Sequence, residues 1–224
     1  SDSVAITVNA VNDAPTITSL SGDSLAYNEG DGAVVIEQGG NVLVADVDST
    51  NFDTGILTVS FTAGSDSAED ILSIRNQGTG AGQIGVSGAN VTYEGVTIGT
   101  FTGGSGGSNL VITLNSSATP TAVTALVKNI TYQNTDTNAP TTGARTVRYV
   151  LTDGDGGTST NYDTTVTVTA VNDAPLNTVP GAQSTNEETA LVFSSGNGNQ
   201  ISIQDPDGSG STCEVTVSVT NGTL

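Results

Sequence analysis

The stretches VAITVNAVNDAP, at residues 4–15, and TTVTVTAVNDAP, at residues 164–175, decide how the whole chain is interpreted. The hexapeptide AVNDAP is identical in the two stretches, and it starts at Ala10 and again at Ala170. We call residues 10–15 the first linker and residues 170–175 the second linker. Apolar and polar residues alternate before each linker, as in a β-strand with one buried face. The same strand pattern is therefore followed by the same linker at two places in the chain, which indicates a tandem repeat.

The segments that follow the two linkers also correspond. NEGD at residues 28–31 is matched by NEET at residues 186–189, and VLVADVD at residues 42–48 is matched by ISIQDPD at residues 201–207. The two linkers start 160 residues apart, at residues 10 and 170. A repeat unit of 160 residues is large enough to have its own core.

The repeat predicts three pieces of chain. Residues 1–13 are the last strand of a preceding module, residues 14–173 are a complete module, and residues 174–224 are the N-terminal part of the next module, which is truncated.

Short alternating runs separated by Gly, Asn and Asp predict an all-β fold, an antiparallel β-sandwich. The predicted strands cover residues 33–37, 41–45, 56–62, 90–94, 96–101, 109–114, 145–152 and 164–170.

Residues 118–130 break the strand pattern and predict one short helix packed on the complete module. Thr119 is the expected N-cap, Pro120 is suited to the first helical position, and Lys128 is expected in the last turn. The apolar residues at helical spacing, which should face the core, are Val123, Leu126, Val127 and Ile130.

The charge of the chain excludes some partners. It has 23 acidic and four basic residues, a net charge of −19. Nucleic acids and anionic membranes are bound through Lys and Arg, so neither is an expected partner. No apolar run is long enough for a membrane span, and we expect no membrane insertion.

The chain is not expected to be an enzyme. It has no histidine, its single cysteine is Cys213, and it lacks the G-x-S-x-G pattern of a nucleophile elbow. A pair of carboxylates alone can hydrolyse glycosides, but the chain offers few aromatic residues to stack on sugars: five Tyr, four Phe and no Trp.

Acidic and Asn residues recur at equivalent points of the repeat. They stand in the linkers, early in the module, in Asp-x-Asp after a strand, and in LTDGDGG late in the module. Calcium takes six to eight oxygen ligands in irregular geometry, so we predict calcium at these points. The candidate metal ligands are Asn12, Asp13, Glu29, Asp46, Asp48, Asp153, Asp155, Asn172, Asp173, Glu187, Asp205 and Asp207.

One other interpretation of the carboxylates remains open, and a second is excluded. Asp, Asn and Gly are ordinary loop-capping residues of a β-sandwich, and a single Asp-x-Asp is explained equally well in that way. The segment at residues 205–216 begins like an EF-hand, but Thr216 stands where the bidentate Glu is needed, so an EF-hand is excluded.

These motifs together resemble the cadherin-like tandem repeats of large bacterial surface adhesins of the RTX type. The resemblance implies a cadherin/Ig-like β-sandwich, calcium ions at the module junctions, and an extracellular, cell-surface or secreted location. It also implies that Asn12 and Asp13 meet Asp46 and Asp48 at one junction. At the other junction, Asn172 and Asp173 would meet residues on both sides, namely Glu29 with Asp153 or Asp155, and Asp205 with Asp207.

The function expected from this resemblance is structural. Calcium at the junctions would stiffen a repetitive stalk for cell adhesion and biofilm formation, with adjacent modules of the same chain as partners. A distal domain would contact cell-surface glycans or another surface. The alternative is a calcium-dependent carbohydrate- or surface-binding module, which would use the same Asp and Asn residues.

Overall fold

The computed structural model describes residues 3–208 and 214–218. The chain divides into two compact units, Ser1–Ala170 and Val171–Leu224. Cys213 lies outside the described residues. Within the described ranges, no helix is both long and apolar enough to span a membrane.

The first unit consists of short strands and one helix. In chain order these are β1 (Thr16–Thr18), β2 (Ser24–Asn28), β3 (Val34–Val35), β4 (Leu43–Ala45), β5 (Ile56–Ala63), β6 (Asp70–Ile74), β7 (Ile84–Ser87), β8 (Asn90–Tyr93), β9 (Val96–Thr102), β10 (Leu110–Leu114), α1 (Pro120–Val127), β11 (Ile130–Asn134), β12 (Gly143–Leu151) and β13 (Tyr162–Thr169).

The sheets of the first unit are sandwich-like and enclose one core. The large sheet has the strand order β2-β13-β12-β5-β10-β9-β8-β7, and a second sheet has the order β3-β11-β6. β1 and β4 form a separate antiparallel pair. All pairs in the large sheet are antiparallel except β2 with β13, which is parallel. The predicted class, mostly β with one short helix, is confirmed at this level.

The core is built from the alternating positions of these strands. Along β12 every second residue is buried, and three of these four residues are apolar. They pack with apolar side chains from both sheets and from α1 in one cluster, which includes Leu57, Val59, Leu72, Ile112, Val123, Leu126, Tyr132, Val147, Tyr149 and Val166.

Helix α1 forms where the sequence predicted it. Thr119 is the N-cap, and its side chain accepts a hydrogen bond from the Ala122 N–H at 3.3 Å. The four residues of the predicted apolar face are fully buried. The helix packs against β4 and β8. Lys128 is the C-cap and not a residue of the last turn, because the helix ends at Val127.

Each strand predicted between residues 33 and 170 contains an observed strand, but five observed strands of the first unit were not predicted. These are β1, β2, β6, β7 and β11. In β11 four of five residues are buried, so the alternation that marks a strand is lost. The predicted strand at residues 33–37 is reduced to two residues, which pair with Thr131 and Tyr132.

The predicted strand before the first linker is not formed. Val4, Ile6 and Val8 are each more than four-fifths exposed, and residues 3–15 form no strand. The equivalent segment, β13, is held between β2 and β12. Residues 4–10 have the strand pattern but no neighbouring strand among the described residues, and a strand is stable only when its backbone groups are paired.

The second unit repeats one part of the first. It contains β14 (Leu176–Thr178), a short 3-10 helix (Ser195–Asn197) and β15 (Ser202–Gln204). β14 pairs with β15 in the register in which β1 pairs with β4: Leu176 lies opposite Gln204, as Thr16 lies opposite Ala45. The corresponding sequences therefore form corresponding local structures.

Candidate metal sites at the two linkers

Asn12 joins the first linker to the loop after β12. Its Nδ2 donates to Asp153 Oδ2 at 2.8 Å and to the Asp13 carbonyl at 3.1 Å. Asp153 is fully buried, and its Oδ1 accepts the backbone N–H groups of Asp155, Gly156 and Gly157 at 2.8 to 3.0 Å. Asp153 therefore shapes its own loop and holds the linker against it.

Asp13 joins the same linker to the turn after β4. Its backbone N–H donates to Asp48 Oδ2 at 3.1 Å. Asp46 Oδ1 accepts the N–H groups of Asp48 and Ser49, both at 3.2 Å, so the Asp-x-Asp segment forms a turn stabilised by its first carboxylate. In a turn the two carboxylates can lie on the same side, whereas in a strand they would point to opposite faces.

The second linker repeats this arrangement within the second unit. Asn172 Nδ2 donates to the Asp173 carbonyl at 2.9 Å, as Asn12 does to Asp13. The Asp173 N–H donates to Asp207 Oδ2 at 3.0 Å, as Asp13 does to Asp48. At both linkers the linker aspartate is thus bonded to the second aspartate of the following Asp-x-Asp, whereas Asn12 is bonded to Asp153.

Buried carboxylate oxygens without a hydrogen-bond partner are concentrated at these two places. At the first linker the oxygen is Asp46 Oδ2. At the second linker there are three: Asp173 Oδ2, Asp205 Oδ1 and Asp207 Oδ1. A buried carboxylate oxygen that is not hydrogen-bonded is costly, because it has lost its hydration without compensation.

In both Asp-x-Asp turns the pKa of the first aspartate is raised. Partial burial, together with the side chain of Asp48, raises the pKa of Asp46. Partial burial, followed by the neighbouring side chain and charge of Asp207, raises the pKa of Asp205, and the charge of Asp173 adds to this. The pKa of Asp207 is lowered, because it accepts the Asp173 N–H. In each turn the first aspartate therefore resists ionisation.

Asp153 differs from Asp46 and Asp205. Burial alone would raise the pKa of Asp153, but the Asn12 amide and three backbone N–H groups outweigh it and hold the pKa below its usual value. Both oxygens of Asp153 accept hydrogen bonds. This carboxylate is a structural anchor that already has its partners.

The carboxylate and carbonyl oxygens at the linkers are suitable ligands for a hard cation, although acidic side chains alone do not surround the site. Among residues 3–208 and 214–218, no three acidic, His or Cys side chains form a group that could hold a metal ion. Calcium does not need such a group, because it also accepts backbone and Asn carbonyls and water as ligands. Each linker lies beside an Asp-x-Asp turn. In each turn at least one oxygen of the two aspartates is buried and has no hydrogen-bond partner.

The structure corrects the expected place of Asp153. The resemblance assigned Asp153 or Asp155 to the junction of the second linker, but Asp153 is bonded to Asn12 of the first linker. The reason is the path of the chain after β12, which the sequence pattern does not define. Asp155 has an exposed side chain, and Glu187 lies in the exposed turn at residues 186–189. Glu29 lies at the end of β2, where its N–H donates to the Thr169 carbonyl at 2.9 Å.

Two residues near the linkers were not predicted. A Cβ at Gly157 would collide with Asp153 Oδ2 and lie 2.8 Å from both Asn12 Nδ2 and the Asp13 carbonyl. Its position in LTDGDGG could have indicated this close approach. Glu214 lines a cavity of about 580 Å³ in the second unit, together with Asp173 and Asp205. Nothing in the repeat marks Glu214.

Comparison of the chain with protein-family models and with curated proteins gives no match. Among solved structures, the chain is similar to the seventh ScaB type I cohesin from Pseudobacteroides cellulosolvens, with 16% sequence identity and a TM-score of 0.32. The similarity covers 74% of this chain and 95% of the cohesin chain.

Proposed function

We propose that this chain is a calcium-binding structural part of an extracellular bacterial adhesin, and that calcium at the linkers stiffens a repetitive stalk. The observation that carries the proposal is the set of buried carboxylate oxygens without hydrogen-bond partners on Asp46, Asp173, Asp205 and Asp207. They occur at the two linkers, in turns whose hydrogen bonds correspond.

Calcium would supply the positive charge that these turns lack. At the first linker, Asp46 and Asp48 would hold the ion, with Asn12 and Asp13 beside them. The equivalent residues at the second linker are Asp205, Asp207 and Asp173. Three of the four basic residues have other partners: Arg145 and Arg148 are paired with Asp70 and Asp163, and Arg75 donates to Asn129.

The hydrogen bonds between linker and turn explain how bound calcium would make the linker less flexible. Because Asp13 and Asp173 are bonded to the turns through backbone N–H groups, an ion bound in the turn would restrain the linker backbone as well. The extracellular location and the adhesive role rest on the resemblance of the repeated motifs to bacterial adhesin repeats. The similarity to a cohesin structure is too low to support either.

Small-angle scattering with and without millimolar calcium tests the proposal. We expect the chain to become less flexible on addition of calcium, and we expect Asp173→Ala to remove much of this effect while the first unit stays folded. Asp163→Ala is the matched control, since it removes one acidic residue from β13 away from the turns. Calcium-dependent stiffening that is equal in both variants would refute the assignment of the linker site.

A further inference from the structure

The sequence contains four Asn-x-Ser/Thr triplets in which x is not Pro, the acceptor sequence for N-linked sugars. They begin at Asn90, Asn115, Asn129 and Asn221. Asn221 lies outside the described residues. A triplet this short also occurs by chance, so the fold has to show which asparagine amide is free to react.

The triplet that begins at Asn129 is closed off by burial and by hydrogen bonds. Asn129 is 4% exposed, and Thr131, the third residue of the triplet, is 2% exposed. The Asn129 Oδ1 accepts from Arg75 Nε at 2.7 Å, and its Nδ2 donates to the Ala125 carbonyl at 2.8 Å. An enzyme could reach this amide only if α1 and β11 came apart.

The triplet that begins at Asn115 is half-buried, and both ends of its amide are occupied. Asn115 Nδ2 donates to the Thr97 carbonyl at 3.0 Å. Its Oδ1 accepts the N–H of Ser117, the third residue of the same triplet, at 2.9 Å. A transferase would have to break both bonds, so Asn115 is a poor acceptor in the folded chain.

Asn90, in contrast, is exposed, and its side chain forms no hydrogen bond within the part of the chain that the structure describes. It is the first residue of β8, and the two-residue loop at residues 88–89 joins it to β7, the edge strand of the large sheet. The amide therefore lies at the tip of an edge hairpin.

The strand also presents the hydroxyl of this triplet on the same side as the amide. Val91 is fully buried, and side chains alternate along a strand, so Asn90 and Thr92 share the outer face of the sheet. Thr92 is half-buried, and its neighbour on β7 is Gly85, which has no side chain to cover the hydroxyl. The whole recognition triplet is thus open on one face.

We propose that Asn90 is an N-glycosylation site that takes a hexose from a nucleotide diphosphate sugar. Asn90 Nδ2 attacks the anomeric carbon of the sugar and forms a C–N bond. The bond from that carbon to the diphosphate oxygen breaks, its electron pair stays on the diphosphate, and one amide proton passes to solvent. Asn-linked sugars belong to the surface loops of secreted proteins, so this site rests on the extracellular location proposed above.

Incubation of the folded chain with a soluble N-glycosyltransferase and nucleotide-activated glucose tests the site. Chymotrypsin cleaves after Tyr93 and Phe101, so mass spectrometry distinguishes the Asn90 peptide from the Asn115 peptide. We expect the Asn90 peptide to gain the mass of one hexose and the peptides of Asn115 and Asn129 to stay unmodified. Thr92→Ala should abolish the gain. Thr97→Ala, the matched control opposite Thr92 on β9, should leave it unchanged.

The chymotryptic peptides, offered to the same transferase, control for the effect of the fold. All three described triplets should then accept the sugar, because burial and hydrogen bonds no longer protect Asn115 and Asn129. In the chain from its natural source, the Asn90 peptide should carry a sugar as well. An unmodified Asn90 in the folded chain or in the natural material, or equal modification of Asn115 or Asn129 in the folded chain, would overturn the proposal. None of these results bears on calcium binding at the linkers, so a failure here is distinguishable from a failure of the proposed function.

Discussion

At the scale of single residues, Asp46 and Asp205 are two carboxylic acids whose ionisation opposes folding. Each has a pKa raised in the folded state by burial and by the neighbouring aspartate. An acid of this kind lowers the stability of the folded state at any pH well above its folded pKa, and protonation removes the penalty as the pH falls through that value. Above that pKa the penalty is present unless a cation is bound.

Asp46→Asn should therefore act in opposite directions in chelator and in calcium. In chelator we expect the Tm of the first unit to rise, by roughly 2 to 4 °C, because the charge is removed while Asn Oδ1 can still accept the N–H groups of Asp48 and Ser49. In millimolar calcium we expect the Tm to fall below that of the natural sequence, because a ligand is lost. Melting curves under both conditions check this, and a shift of the same sign in both would contradict it.

The two arginines of β12 form ion pairs in different environments. Arg145 is 1% exposed, and its Nε donates to the equally buried Asp70 at 3.1 Å. It also donates to the carbonyls of Gly143 and Thr141. Arg148 donates to Asp163 at 2.8 Å, and both of these side chains are more than a third exposed.

Arg145→Met should consequently destabilise the first unit far more than Arg148→Met. The first change leaves the Asp70 carboxylate buried without its counter-ion, for which we expect a loss of about 3 to 5 kcal/mol. The second removes a surface pair and should cost less than about 1 kcal/mol. Urea unfolding of both variants measures the difference, and equal losses would show that burial does not determine the strength of these pairs.

At the scale of secondary structure elements, the helix was the most predictable part of the fold. Thr119, Pro120 and the apolar positions are local signals within a short segment, and they determine where α1 begins and which side is buried. The strands β6 and β11 were missed because each depends on its partner: β11 pairs with both β3 and β6 and shows little alternation of its own.

Leu126→Asp should unfold the first unit, because it places a charge on the fully buried side of α1. Lys128→Ala is the control. Lys128 is half-buried at the C-cap, and the cap bonds are made by its backbone N–H, so this change should leave stability nearly unaltered. Circular dichroism during urea unfolding distinguishes the two variants, and a fully folded Leu126→Asp would contradict the packing of the helix.

The edges of the large sheet illustrate what sequence patterns do not reveal. The outer edge of β7 is covered by side-chain amides: Asn76 bonds both backbone groups of Val86, and Gln77 Oε1 accepts the Ile84 N–H. Such capping limits pairing with other chains. It depends on the position of residues 76 and 77 beside the strand, which no local pattern of polar residues specifies.

At the scale of the whole molecule, the repeat in the sequence corresponds to equivalent hydrogen bonds at the two linkers. The resemblance to adhesin repeats implied that Asp13 meets Asp48 and that Asp173 meets Asp207, and both pairs are hydrogen-bonded. The place of Asp153 could not be obtained in this way, because its loop reaches Asn12 only through the three-dimensional order of the strands.

The central claim is that the carboxylates at the linkers bind calcium, and isothermal titration of the chain with calcium tests it most directly. We expect at least two ions to bind, with Kd values on the order of 10⁻⁴ to 10⁻³ M, as for other extracellular modules. Asp207→Asn should remove binding at the second linker, Asp48→Asn should remove it at the first, and Asp163→Ala should leave both unchanged. Titrations without calcium binding, or binding that is the same in all three variants, would contradict the account.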